Sequence, residues 1–182
     1  FIALAQANPG KYNYGSGGAG GINHLACELF NRAAKVDITH IPFKGAGEAT
    51  AAVVAGQVDM VIAASPGVMT FVNSGKLRAL AVTTAGAKRY SLMPDVPSMS
   101  EAGVPGMELI TWFGLAAPAG LPKEIANKLH AEVVKALTVP AVKERFAGSD
   151  LVGSSPAEFS KVIRDDVRLW AGIVKAAGVK PE

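Results

Sequence analysis

Residues 12–30, YNYGSGGAGGINHLACELF, join a strand to a helix through a glycine-rich turn. Tyr12-Asn13-Tyr14 reads as a short extended run. Gly15, Gly17, Gly18, Gly20 and Gly21 follow, with Ser16 and Ala19 among them, and the chain leaves as a helix from about Ile22. Leu25, Leu29 and Phe30 recur at helical spacing and face a core. A glycine turn that opens a helix leaves backbone N–H groups unshielded, with the positive end of the helix dipole behind them. Such a turn is a place to hold an anion; the plainer reading is that its glycines only permit a tight turn.

The same unit repeats outward. Residues 36–43 (VDITHIPF) read as a strand, and Lys44-Gly45-Ala46-Gly47 as a second small-residue turn into a helix that runs through Val54 and stops at Gly56. Residues 58–63 (VDMVIA) read as a strand buried on both faces. Ser65-Pro66 fits an N-cap with proline at the first helical position, the helix running to Asn73 and ending at Gly75. Residues 77–83 (LRALAVT) read as another buried strand. Four alternations of strand and helix predict an α/β fold with a largely parallel sheet. Upstream, residues 1–7 read as the last turns of a helix stopped at Asn8-Pro9-Gly10.

Gly86, Pro94, Pro97, Gly103, Pro105 and Gly106 then punctuate residues 85–107, leaving one short helix near 98–102. Residues 108–117 (ELITWFGLAA) read as a long apolar strand crossing between two lobes. The last third is helical. A helix from Pro122 carries Ile125, Leu129, Val133 and Leu137 and closes at Pro140; a short one spans 141–147. Ser155-Pro156-Ala157-Glu158 is a capping box that opens a helix striped by Phe159, Val162, Ile163, Val167, Trp170 and Val174, ending at Gly178.

Composition narrows the function. Of 182 residues, 49% are hydrophobic and 18% charged, which specifies a packed core and excludes disorder. The net charge of +3 comes from scattered Lys and Arg, an argument against nucleic acid as a partner. Cys27 is the single cysteine, so no internal disulfide and no cysteine-rich zinc site can form; on an apolar helix face it reads as a buried, inert thiol. The longest apolar run, 109–121, is broken by Gly and Pro and is too short to insert in a membrane. Phe1-Ile2-Ala3-Leu4-Ala5 begins as a helix already under way, from which the chain is expected to be a fragment.

Gly15-Ser16-Gly17-Gly18-Ala19-Gly20 satisfies G-x-G-x-x-G, so a nucleotide-binding α/β enzyme is one reading. That site needs an acid at the end of the second strand. There the sequence has Ile41-Pro42-Phe43-Lys44, and Asp37 stands at the wrong end. Three strand-to-helix turns, 16–21, 44–47 and 64–66, belong instead on one edge of a parallel sheet, at the carboxyl ends of its strands. Backbone donors, the hydroxyls of Ser16 and Ser65 and the ammonium of Lys44 would suit a small carboxylate that is held and not transformed. His24, Cys27 and Glu28 share a helix face that could seat a metal, but no second ligand cluster accompanies them. His24 is either structural or a ligand-facing donor. His40 and His130 read as satisfied or solvated, and nothing resembles a catalytic triad. No catalytic residue, metal or cofactor is expected.

An ordered set of motifs carries a resemblance. Asn13-Tyr14-Gly15-Ser16 with Gly18, Gly20 and His24-Leu25 is followed by Pro42-Phe43-Lys44-Gly45 and Gly56-Gln57-Val58-Asp59-Met60. Gly75-Lys76-Leu77-Arg78-Ala79-Leu80-Ala81-Val82-Thr83, Pro94-Asp95-Val96-Pro97, Trp112-Phe113-Gly114 and Ala117-Pro118-Ala119-Gly120 come next. Over essentially its whole length the chain resembles the tripartite tricarboxylate transporter substrate-binding receptors, the Bug family. The resemblance implies a periplasmic receptor of the type II binding-protein fold, whose two lobes close on a mono- or dicarboxylate and deliver it to a membrane permease.

By that comparison residues 1–112 are the second lobe and 113–182 the returning C-terminal portion of a first lobe whose N-terminal part is not in this chain. The implied ligand contacts are Ser16, Gly17, Gly18, Ala19, Gly20, Gly21, His24, Phe43, Lys44, Gly45, Ala64 and Ser65. Gly17 and Gly21 stand where relatives commonly carry serine, and Ala63-Ala64 where an acid or amide is frequent. A third reading, the effector-sensing domain of a transcription regulator, shares the two-lobe fold and would require a helix-turn-helix segment upstream.

Overall fold

The computed structural model describes residues 1–146 and 149–177. The elements in chain order are α1 (Ile2–Ala7), β1 (Asn13–Ser16), α2 (Ile22–Ala34), β2 (Thr39–Pro42), α3 (Ala46–Val54), α4 (Ser65–Asn73), α5 (Lys123–Thr138), α6 (Pro140–Arg145) and α7 (Pro156–Ala177). They form two compact units. Phe1–Thr111 make the first, together with the described end of α7 from Gly172; Trp112–Ala171 make the second.

The first unit is α/β and its strands are parallel. β1 pairs with β2 in the register Asn13–Thr39, Tyr14–His40, Gly15–Ile41 and Ser16–Pro42. On the other side of β1, Met60 bridges to Tyr14, and its carbonyl accepts from the Gly15 N–H at 2.9 Å. The core gathers Ala5, Tyr14, Cys27, Phe30, Ala34, Ile38, Val104 and Met107. One face of α2 therefore packs onto the sheet, and this packing holds the glycine turn rigidly between β1 and α2.

Several expected elements contract. The strand expected over 36–43 is confined to Thr39–Pro42, because α2 closes through Lys35 in the left-handed region (φ 53). The Val36 N–H returns to the Asn31 carbonyl at 2.9 Å and the Lys35 N–H to that of Arg32, a Schellman closure that occupies the residues just before the ladder. Residues 58–63 and 77–83, read as buried strands, make single bridges, at Met60 and at Val82 to Ser98. Leu80 is half exposed. The helix expected near 98–102 is one turn, since Gly103 leaves it at φ 86. The Glu101 carboxylate pins that turn, accepting from the Ser98 N–H and from Arg89 Nε. α4 is capped by Ala64, whose backbone is extended, and Ser65 is already helical, so Ser65 is not the N-cap.

The expected crossing strand over 108–117 is not a strand. A strand exists only by its ladder, and here the pairing ends at Leu109, bonded both ways to Thr83. Phe113 and Leu115 stand largely exposed. The capping box is formed as expected: Glu158 accepts from the Ser155 N–H at 2.8 Å while the Glu158 N–H reaches Ser155 Oγ. Phe159 on α7 meets Trp112 edge-on. The short helix expected over 141–147 is Pro140–Arg145; its last expected residue, and the stop at Gly178, lie outside the described residues.

Candidate functional site

The three small-residue turns meet. The Phe43 N–H donates to the Ser16 carbonyl at 2.9 Å, tying the start of the second turn to the first. Gly17 packs against the amino end of α3 so closely that a Cβ there would lie 2.7 Å from Ala46 N and 3.1 Å from the Gly45 carbonyl carbon. Nothing but glycine fits that approach. Asn23 on α2 donates to the Ile62 carbonyl at 2.6 Å, which draws the segment leading to the third turn toward the first.

Between α3 and α4 lies a hollow of about 100 Å³ lined by Ala46, Gly47, Thr50, Ala63, Ala64 and Gly67. Its lining carries no charged side chain. It has room for a carboxylate group. α2, α3 and α4 begin at Gly21, Gly45 and Ala64, and none of the three receives a side-chain cap. Their first-turn amides are thus left to backbone, solvent or a ligand.

The expected side-chain donors are mostly engaged within the protein. Ser16 is fully buried; its Oγ lies 2.6 Å from His40 Nε2, accepts from the Gly18 N–H and contacts the Gly18 carbonyl at 3.0 Å. His24 is buried, and its Nδ1 accepts from the Gly20 N–H at 2.9 Å. The Ser65 hydroxyl lies 3.3 Å from that of Tyr90. Lys44 is exposed; it is its backbone N–H, not its ammonium, that donates to the Glu48 carboxylate at 3.2 Å. Ala19, Gly20 and Gly21 are exposed along the rim, Gly18 is partly so, and Gly18 and Gly20 adopt positive φ.

The face of α2 read as a possible metal seat is occupied otherwise. Glu28 accepts from the Tyr14 hydroxyl at 2.6 Å. Burial, then this bond and the Glu28 charge, push the Tyr14 pKa far up. Burial pushes the Cys27 thiol up to about 12, the state of an inert side chain. Among the described residues no three potential ligands converge on a metal position. Asp37 lies before the amino end of β2, at the opposite end of the strand from the glycine turn.

Sequence reasoning missed Thr50, Gly67, Asn23 and the packing of His40. Thr50 and Gly67 carry no motif. His40 is placed under the turn only by the parallel register that sets it beside Tyr14.

A sequence profile described as tripartite tricarboxylate transporter family receptor matches residues 1–179. The chain belongs to this family. Members of the family are periplasmic solute-binding receptors and not enzymes. Three solved structures of the family resemble this chain. An R. palustris protein solved with adipate superposes with a TM-score of 0.90 at 32% identity, covering 100% of this chain and 60% of its own. MatC from Rhodopseudomonas palustris, with bound malate, gives 0.84 at 31%, covering 96% and 60%. The periplasmic binding protein BugD gives 0.90 at 29%, covering 100% and 61%. The chain spans about half the length of the curated relatives it matches.

Proposed function

We propose that this chain supplies one jaw of an extracytoplasmic receptor that closes on a small mono- or dicarboxylate in the periplasm and hands it to the permease of a tripartite transporter. The observation that carries the reading is the pair of helix starts, those of α3 and α4, that open without side-chain caps on an uncharged hollow, with the glycine turn seated on the α3 start through Gly17. Backbone amides in a low-polarity recess stabilise a carboxylate without chemistry being done to it. The turn residues 16–21, with His24, Phe43, Lys44, Gly45, Ala64 and Ser65, form the shell of this jaw: Gly17 and Ser16 set its shape, the amides of Gly18, Gly20 and Gly21 are tied to Ser16, His24 and the Gly18 carbonyl, and the α3 and α4 starts present the donors. In this reading residues 1–112 are the second lobe and 113–182 the returning part of the first. Adipate and malate in related structures support a carboxylate as the ligand class.

The test is thermal unfolding of the two-lobe protein carrying this chain against a carboxylate panel that includes adipate and malate. A ligand that binds only the folded state at 100 times its Kd stabilises by about 2.7 kcal/mol, a clear rise in Tm. No rise with any carboxylate would sink the proposal. By calorimetry, the 182-residue chain alone is expected to bind weakly or undetectably, since one jaw supplies only part of the donors.

A further inference from the structure

Beneath the glycine turn lie two histidine rings whose arrangement a carboxylate site does not by itself require. His24 on α2 and His40 on β2 stack with centroids 3.9 Å apart and planes 10° from parallel. Tyr14 on β1 stacks on His40 at 5.0 Å. Each histidine holds one end of the turn. His24 Nδ1 takes the Gly20 N–H at 2.9 Å, and His40 Nε2 lies 2.6 Å from Ser16 Oγ, which in turn takes the Gly18 N–H at 3.2 Å. A ring nitrogen accepts only while unprotonated, so the Gly20 bond assigns His24 as the neutral ring with its proton on Nε2.

We propose that His24 and His40 are positioning residues that keep the glycine turn in its ligand-presenting shape only while both rings are neutral, so that carboxylate capture weakens as pH falls. The inference rests on the receptor reading above. A proton on His24 Nδ1 sets one donor against another and expels the Gly20 amide. A proton on His40 leaves its bond to Ser16 possible but charges a ring stacked on His24, and a second charge in the stack meets direct repulsion. The groups facing the pair are the Tyr14 and Ser16 hydroxyls from β1, the Gly20 amide from the turn, and Cys27 and Glu28 from α2. Glu28 is the one negative charge among them, and it is engaged by Tyr14.

Burial, then the neighbouring His24 ring, holds His40 below the usual histidine range, with Glu28 opposing. Folding therefore releases protons between the folded pKa of His40 and its unfolded value of about 6.5. The stability of the turn is complete above that value and is lost as pH falls from there toward the folded pKa. A charged ring would also attract an anion, but solvent screens that attraction at an exposed turn. Loss of the turn's shape unseats Gly17 from the start of α3, whose uncapped amides are donors of the proposed site, so the anion loses charge-assisted contacts there.

The test begins with nitrogen-15 NMR of the 182-residue chain between pH 8 and 5. The Gly20 amide is expected to titrate together with the His24 ring, and Nδ1 to be the unprotonated nitrogen at pH 8. His24→Asn places an amide oxygen where Nδ1 stands, so its Gly20 amide is expected to stay unchanged across the range. In the two-lobe protein, adipate affinity should fall further from pH 7.5 to 5.5 than that of His24→Asn, a ratio that cancels the titration of adipate itself. A Gly20 amide that ignores the titration of His24, or an affinity ratio that stays flat or rises, overturns the proposal. If neither adipate nor malate binds at any pH, the receptor reading loses its support while the Gly20 titration still decides the role of the histidines.

Discussion

Gly17 and Gly21 look alike in the sequence and differ in their surroundings. At Gly17 a Cβ would meet the backbone of Ala46 at 2.7 Å. Backbone cannot swing aside as a side chain can, so the first and second turns would have to separate. Gly17→Ser is therefore expected to cost about 1–3 kcal/mol, the range for overpacking a filled site, measured by urea unfolding. At Gly21 a Cβ would lie 3.4 Å from the Gly18 carbonyl, an ordinary contact, and the backbone is already extended at φ −67 and ψ 160. Gly21→Ser places a capping hydroxyl over the α2 amides and is expected to stabilise by a few tenths of a kcal/mol. A result in which both substitutions cost the same would remove the close approach of the turns as the reason for Gly17.

At the scale of elements, α2 is the scaffold of the site, and its two ends show how local sequence and packing divide the work. Its start at Ile22 follows from the glycine turn. Its end at Ala34 is closed by a full Schellman motif with Lys35, not glycine, in the left-handed position. A side chain there strains the backbone by about 1 kcal/mol or more. Lys35→Gly is expected to raise the unfolding free energy by about 0.5–1 kcal/mol, less than the full strain because glycine loses more freedom on folding. Chemical denaturation checks it, and a loss of stability would mean that the lysine stem makes packing contacts worth more than the strain.

For the whole molecule the two units contrast. The first has a continuous core around Tyr14, Phe30 and Met107. The second, Trp112–Ala171, has no fully buried residue among those described, and Leu129 and Val167 on its helices stay more than half exposed. Amphipathic helices without a shared core gain too little apolar burial to offset chain entropy. A peptide covering Trp112–Ala171 alone is therefore expected to lack a cooperative thermal transition by circular dichroism. A sharp transition would show that this unit folds by itself.

The sequence by itself determined what depends on near neighbours. The glycine turn, the start of α2, the bounds of α4, the capping box at Ser155 and the α/β class are set by turn chemistry and helical periodicity, and the family is carried by ordered motifs along the chain. Only the tertiary structure decided what depends on pairing. Residues 58–63, 77–83 and 108–117 have the composition of strands, yet a strand needs a partner at the right distance, and composition does not supply one. The site divides in the same way. That three turns share an edge follows from parallel strands, but the seat of Gly17 on Ala46, the hollow between α3 and α4 and the stack of His24 on His40 follow from register. A shift of one residue would send His40 to the other face of the sheet, and no local signal in the chain records which register is chosen.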